Sequence, residues 1–184
     1  MGRPRARDVD RQALKAVRNA PPSREEGHLL VILSNPPTSS GTRTRQRVGQ
    51  AKDTLGYASV ATANVFAIPT HRTGGIAEAG AEPDGWLDAR SALTEALAAA
   101  DAVILAYGCQ EPSGRARQHF RNQLAWLQTE IDACGVTTWM VDGRPRHPSR
   151  WHRHTYAKYP GLPFSEALPM ALKETNASHD LLRD

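Results

Sequence analysis

Cysteine, lysine and aromatic residues are all scarce in this sequence. Cys109 and Cys134 are the only two cysteines among 184 residues, too few for a disulfide-rich secreted scaffold or a four-cysteine zinc module. The longest apolar runs, Leu29–Leu33 and Ala102–Ala106, fall far short of the roughly 18 residues that a membrane-spanning helix needs. The basic start, Met1-Gly2-Arg3-Pro4-Arg5-Ala6-Arg7, has no hydrophobic stretch behind it, so no signal peptide is expected. Four lysines stand against nineteen arginines. Genomic base composition can produce that bias, so arginine richness alone does not argue for DNA binding. No GxxxxGK[ST] is present, which excludes a standard phosphate-loop hydrolase. No GxSxG is present either, which weakens an α/β-hydrolase reading, and Gly74-Gly75 lacks the dinucleotide-binding spacing. The expectation is a soluble cytoplasmic protein that makes no contact with membrane.

What is there is the composition of an ordinary globular chain, 40% hydrophobic and 23% charged. A chain of this length buries roughly 70% of the surface its unfolded form exposes and folds without a metal or disulfide staple. Its formal net charge of +4 favours anionic partners but is modest. Residues 1–27 carry seven basic residues and no sustained apolar face. They read as a basic arm, helical in part over Asp10–Asn19, and either a mobile terminus or an electrostatic tether for nucleic acid. Residues 28–184 read as one α/β domain.

Leu29–Leu33 and Ala102–Ala106 are continuous apolar runs, as expected for strands of a parallel sheet buried on both faces. Ser59–Val65 and Val136–Val141 are two further strands. Helices are expected over Arg43–Leu55, closed by Gly56, over Trp86–Ala99 with Asp84 as its cap, over Arg115–Cys134, closed by Gly135, and over Ser165–Glu174. Pro69–Gly85 reads as a polar loop. This alternation predicts a three-layer α/β/α sandwich around a central, mostly parallel four-stranded sheet. Ligands of such sheets bind at the carboxyl ends of the strands. Asn35, Asn64, Tyr107 and His147 each follow a strand, so they are expected to converge there.

Two segments can carry chemistry. In Asn35-Pro36-Pro37-Thr38-Ser39-Ser40-Gly41, the asparagine offers one acceptor and two donors, and the hydroxyls and amides beyond it suit a phosphate. The same residues also make an ordinary capped turn. Gly143–His154 holds four arginines and three histidines in twelve residues. Its arginines suit phosphate, and Trp151 suits either stacking on a base or filling the core. His147, on a stiff proline-flanked loop, suits donation to an oxyanion. A metal held by His147, His152 and His154, a simple solvated basic loop, and a cysteine nucleophile at Cys109 are the competing readings.

Four motifs occur in order: Leu33-Ser34-Asn35-Pro36, Thr62-Ala63-Asn64-Val65-Phe66-Ala67, Ala106-Tyr107-Gly108 and Gly143-Arg144-Pro145-Arg146-His147-Pro148-Ser149. Together they resemble domain-of-unknown-function family 1643 over residues 28 to about 173. Pro37 and Tyr107 depart from that family's usual serine and tryptophan. More distantly, Ser34–Thr42 and His147-Pro148-Ser149 are similar to motifs of the uracil- and thymine-DNA glycosylase superfamily. That resemblance implies a glycosylase-like fold and DNA as partner. It implies that Asn35 positions the attacking water and that His147 stabilises the departing base. With that chemistry, Pro36, Thr38, Ser39, Asn64, Tyr107 and Ser149 are expected at the substrate, and Arg43, Arg45, Arg144, Arg146, Arg150 and Trp151 on the nucleic acid. No metal or other cofactor is implied, and a monomer is expected. Pro37 replaces a glycine of the glycosylase motif, which removes an amide donor expected to face the base.

Three functions compete at this stage. The first is a DNA glycosylase-like hydrolase acting on a flipped, damaged or modified base. The second is an enzyme or binding module for a free nucleotide or small anion at the same sheet edge. The third is a noncatalytic nucleic-acid adaptor that uses the basic arm and loop.

Overall fold

The computed structural model describes residues 26–70 and 74–175. The arm proposed for residues 1–27, with its helical segment Asp10–Asn19, lies almost wholly outside the described residues.

Strand β1 (His28–Leu33) is apolar from Leu29 onward because both of its faces are covered there. Leu30 and Ile32 point into one core, with Val103, Leu105 and Met140. Leu29, Val31 and Leu33 point into the other, with Ala102, Ile104 and Val141. This alternation, period two, is what lets one strand serve two cores. Helix α1 (Thr42–Leu55) follows, then β2 (Ser59–Asn64), the short α2 (Gly75–Ala79), α3 (Asp84–Ala99) and β3 (Ala102–Leu105). Then come α4 (Ala116–Cys134), β4 (Thr137–Val141), α5 (Pro148–Lys158), α6 (Phe164–Ala171) and β5 (Leu172–Thr175).

The sheet order is β2-β1-β3-β4-β5. The first four strands are parallel, and β5 pairs antiparallel with β4. Helices α3 and α4 cover one face and α1, α5 and α6 the other. The chain runs outward from β1 to β2, then crosses back to add β3 on the far side of β1. The order therefore reverses between β1 and β3, and the loops leaving those two strands diverge there.

The α/β class and the mostly parallel sheet are as expected, but the sheet has five strands, not four. The helix expected over Ser165–Glu174 ends at Ala171, and Leu172–Thr175 becomes the fifth strand because β4 offers it an edge. The basic segment expected as a loop is helical from Pro148. Pro148, Trp151 and Thr155 are its buried face, at helical spacing, and proline suits the first helical position. Within the expected Pro69–Gly85 loop lies α2. Asp84 is the first residue of α3 rather than its cap, and makes no side-chain capping bond.

Candidate functional site

A cavity of about 1060 Å³ opens at the carboxyl edge of the sheet, where the order reverses. Its floor is apolar and aromatic: Val65, Ile76, Trp86, Tyr107 and Phe120 line it. Trp86 and Phe120 meet edge to face with centroids 5.9 Å apart, and Tyr107 meets Phe120 the same way at 6.1 Å. Burial pushes the Tyr107 phenol well above its ordinary pKa, with the Cys109 thiol adding to the shift. At neutral pH it therefore keeps its O–H.

Asn35 enters the cavity from the end of β1. Its Nδ2 donates to Thr70 Oγ1 at 3.0 Å and to Pro36 O at 3.2 Å. Both amide hydrogens are thereby used, and Oδ1 remains as the acceptor that can meet a ligand. Thr70 comes from the loop after β2 and also lines the cavity, so one hydrogen bond ties two strand-end loops together.

His147 enters from the opposite side, as the N-cap of α5. The backbone N–H of Ser149 donates to its Nδ1 at 3.3 Å, and Ser149 Oγ lies 2.9 Å from the same nitrogen. An Nδ1 that accepts puts the proton of the neutral ring on Nε2. Burial, and then the neighbouring Arg150 guanidinium, hold the His147 pKa below the ordinary imidazole value. A neutral imidazole at a helix N-terminus is a hydrogen-bond donor without charge. The chain around it is pinned. Gly108, at φ +104, donates its N–H to Pro145 O at 2.6 Å, and the Trp151 indole N–H donates to Arg146 O at 2.5 Å.

The cavity therefore brings together Asn35, Tyr107, Arg146, His147, Ser149 and Arg150. Asn64 does not line it. Val65 does, and strand alternation turns its neighbour to the other face. Pro36, Thr38 and Ser39 lie beyond the rim, the latter two exposed, and Arg43, Arg45 and Arg144 are exposed away from the lining. Trp151 is fully buried in the core shared by α1, α5 and α6. It takes the core-filling role and is closed to a stacking base. The three histidines of the metal reading part company: His152 stacks on Tyr156, His154 pairs with Asp142, and His147 caps α5. Among the described residues, no group of three or more His, Cys, Asp or Glu side chains is placed to hold a metal ion.

The structure adds residues that pattern alone does not flag. Thr70 orients Asn35, and the segment after β3 contributes Gln110, Glu111, Ser113 and Arg117 to the wall. Arg121 donates to both oxygens of Glu111 at 2.9 Å each. Those bonds hold the Glu111 carboxyl below its usual pKa range against an opposing effect of burial, and the Arg121 and Arg117 charges add to the lowering. The usable signal for this segment was its position, immediately after the third strand of a parallel sheet.

Fold and site together define the class: an α/β protein with a strand-end cleft at the reversal point of its sheet. The chain belongs to the family described as "Protein of unknown function (DUF1643)", whose model matches residues 12–149. The match runs through Asn35, Tyr107 and His147 and stops two residues into α5. No curated protein and no solved structure matches the chain.

Proposed function

We propose that this protein hydrolyses the N-glycosidic bond of a damaged or modified base flipped out of DNA and held in the strand-end cleft. One observation carries the reading: Asn35 and a His147 held neutral with Nε2 as its donor line the same aromatic-floored cavity. The resemblance of Ser34–Thr42 and His147–Ser149 to glycosylase motifs supports it, as does the chemistry. When the bond from C1′ to the base breaks, its electron pair leaves with the base and the sugar becomes oxocarbenium-like. The His147 Nε2–H donates to the anionic base, a role that needs no prior protonation. Asn35 Oδ1 accepts from a water whose oxygen bonds to C1′. That water loses its proton to solvent and the base anion gains one. The aromatic floor receives the base face, as single-stranded binders receive bases. Asn35 orients rather than deprotonates, so the reaction is slow or confined to bases that leave easily.

A second reading, the same cleft acting on a free nucleotide, is favoured by a specific observation. Of the arginines expected on the nucleic acid, only Arg146 and Arg150 line the cavity. Both readings are tested by chromatography of free base released from two substrate sets. One set is oligonucleotides bearing uracil, hypoxanthine, mismatched thymine, alkylated bases or hydroxymethylated pyrimidines. The other is the matching nucleoside monophosphates. The expected result is release from at least one oligonucleotide. Release from monophosphates alone selects the second reading. No release from any substrate, with salt-sensitive DNA binding retained, means a noncatalytic adaptor and overturns both.

A further inference from the structure

We infer that Arg117, Arg146 and Arg150 form a phosphate subsite within the strand-end cleft, so that its ligand is a phosphorylated sugar unit and not a bare base or nucleoside. The inference rests on the reading of that cleft as a nucleotide site. It commits to the phosphate, whether from a strand or from a free nucleotide.

The charge of the lining comes first. Three guanidiniums and one carboxylate, Glu111, line the cavity, an excess of two positive charges with His147 neutral. The carboxylate does not cancel the nearest arginine. Arg121, outside the lining, takes both Glu111 oxygens at 2.9 Å, whereas Arg117 Nε stands 3.6 Å from Glu111 Oε2. Arg117 Nε also donates to Pro112 O at 3.4 Å. These contacts fix its stem and leave the two terminal nitrogens for the cleft.

The positions of these residues point the same way. Arg117 lies in the first turn of the 19-residue α4 and Arg150 in the first turn of the 11-residue α5, and neither first turn holds an acidic residue. A cation there opposes the positive end of the helix dipole. A bound anion reverses that relation at both helices at once. Arg146 adds an independent sign. Its Nε is buried, with no hydrogen-bond partner among the described residues. A buried charged N–H left without an acceptor is costly, and an anion in the cavity would offset that cost through the charge of the Arg146 guanidinium, which lines it. Helices α4 and α5 cover opposite faces of the sheet, so the arginines reach the cleft from two sides.

The test is equilibrium binding of the full chain to three probes with no base on the sugar unit that the cleft would hold. They are 2-deoxyribose, 2-deoxyribose 5-phosphate, and a trinucleotide whose central residue is a tetrahydrofuran abasic analogue. Both phosphate-bearing probes are expected to bind at least about tenfold more tightly than 2-deoxyribose. Arg117→Ala and Arg150→Ala each lose about tenfold, the scale of one charge-assisted hydrogen bond. Arg115→Ala, outside the lining, is expected to leave binding unchanged. All three sites are exposed, and circular dichroism checks that each variant folds. A trinucleotide that binds more tightly than the sugar phosphate assigns the phosphates to a strand, and equal affinity assigns a terminal phosphate. Phosphate binding with no base release from any substrate leaves the subsite standing and removes the hydrolase reading. Folded arginine variants that bind like the parent, or phosphate probes no tighter than 2-deoxyribose, overturn the inference.

Discussion

At the scale of single residues, His147 concentrates what is distinctive about this site. Its Nδ1 is committed to the α5 cap, and burial beside Arg150 resists a second proton. An N-capping imidazole is a weak choice for stability, since Ser, Thr, Asp and Asn are the preferred caps, and on the proposed reading its value lies in the Nε2–H donor. The sign of the pH effect follows from the lowered pKa. The unfolded chain takes up a proton near pH 6.5 and the folded chain only at a lower value. Stability from this group is therefore complete above 6.5 and is lost as pH falls through the folded pKa. An NMR titration of the His147 ring is expected to give a midpoint below 6.5, with the Nε2–H tautomer above it. A midpoint at or above 6.5 would contradict a neutral donor.

Among elements, α5 decides where His147, Ser149 and Arg150 stand, and Asp142 decides where α5 stands. Asp142 closes β4 at φ +50, an uncommon conformation for any residue but glycine. Its carboxylate accepts from His154 Nε2 at 2.5 Å and from Lys158 Nζ, two α5 residues one turn apart. Burial works to raise the carboxyl pKa, but the bonds and charges of Lys158 and His154 outweigh it and the net shift is downward. Asp142→Asn keeps a residue that tolerates the left-handed turn while removing the charge. It is expected to lower the thermal midpoint at pH 7 by a few degrees. The contribution is present above the ordinary carboxyl pKa and is lost as pH falls through the lowered folded value, so the gap should close at strongly acid pH. A gap equally wide at pH 7 and in strong acid would show that the charge is not what holds α5.

Elements also show where sequence was informative. Strands β1 and β3 were legible as short continuous apolar runs, which suit strands buried on both faces, and Gly56 and Gly135 marked helix ends that the structure reproduces with positive φ. Helix α5 was hidden by its charge. The four arginines and three histidines of Gly143–His154 drew the reading toward a loop, although Pro148, Trp151 and Thr155 already stood at helical spacing with proline first. Strand β5 was not legible at all. Leu172–Thr175 has no strand pattern of its own, and it extends only because β4 presents an unpaired edge.

The whole molecule explains why part of the site could be read and part could not. Strand-end loops of a parallel sheet converge by topology, so Asn35, Tyr107 and His147 could be brought together from sequence order alone. Asn64 was misplaced because a one-residue step along a strand reverses the direction of its side chain. Thr70 escaped notice because it acts through a contact 35 residues away in sequence, on Asn35, and Arg117 because it lines the cavity from an exposed position at the start of α4, where sequence shows only a solvated charge. The cleft also receives walls from both helical layers, and no single segment announces such an arrangement.

The central claim, that Asn35 and His147 act together on one bound base, is tested most directly by single-turnover base release on the best substrate from the release assay. The comparison is between the parent, Asn35→Ala, His147→Ala and the double variant. Each single variant is expected to fall by about 10²–10³-fold, the scale of losing one placed transition-state partner. The double variant should fall little further, because residues acting as a unit are not additive. Folded variants that release base at the parent rate would show that the chemistry lies elsewhere, and the account of this cleft would be wrong.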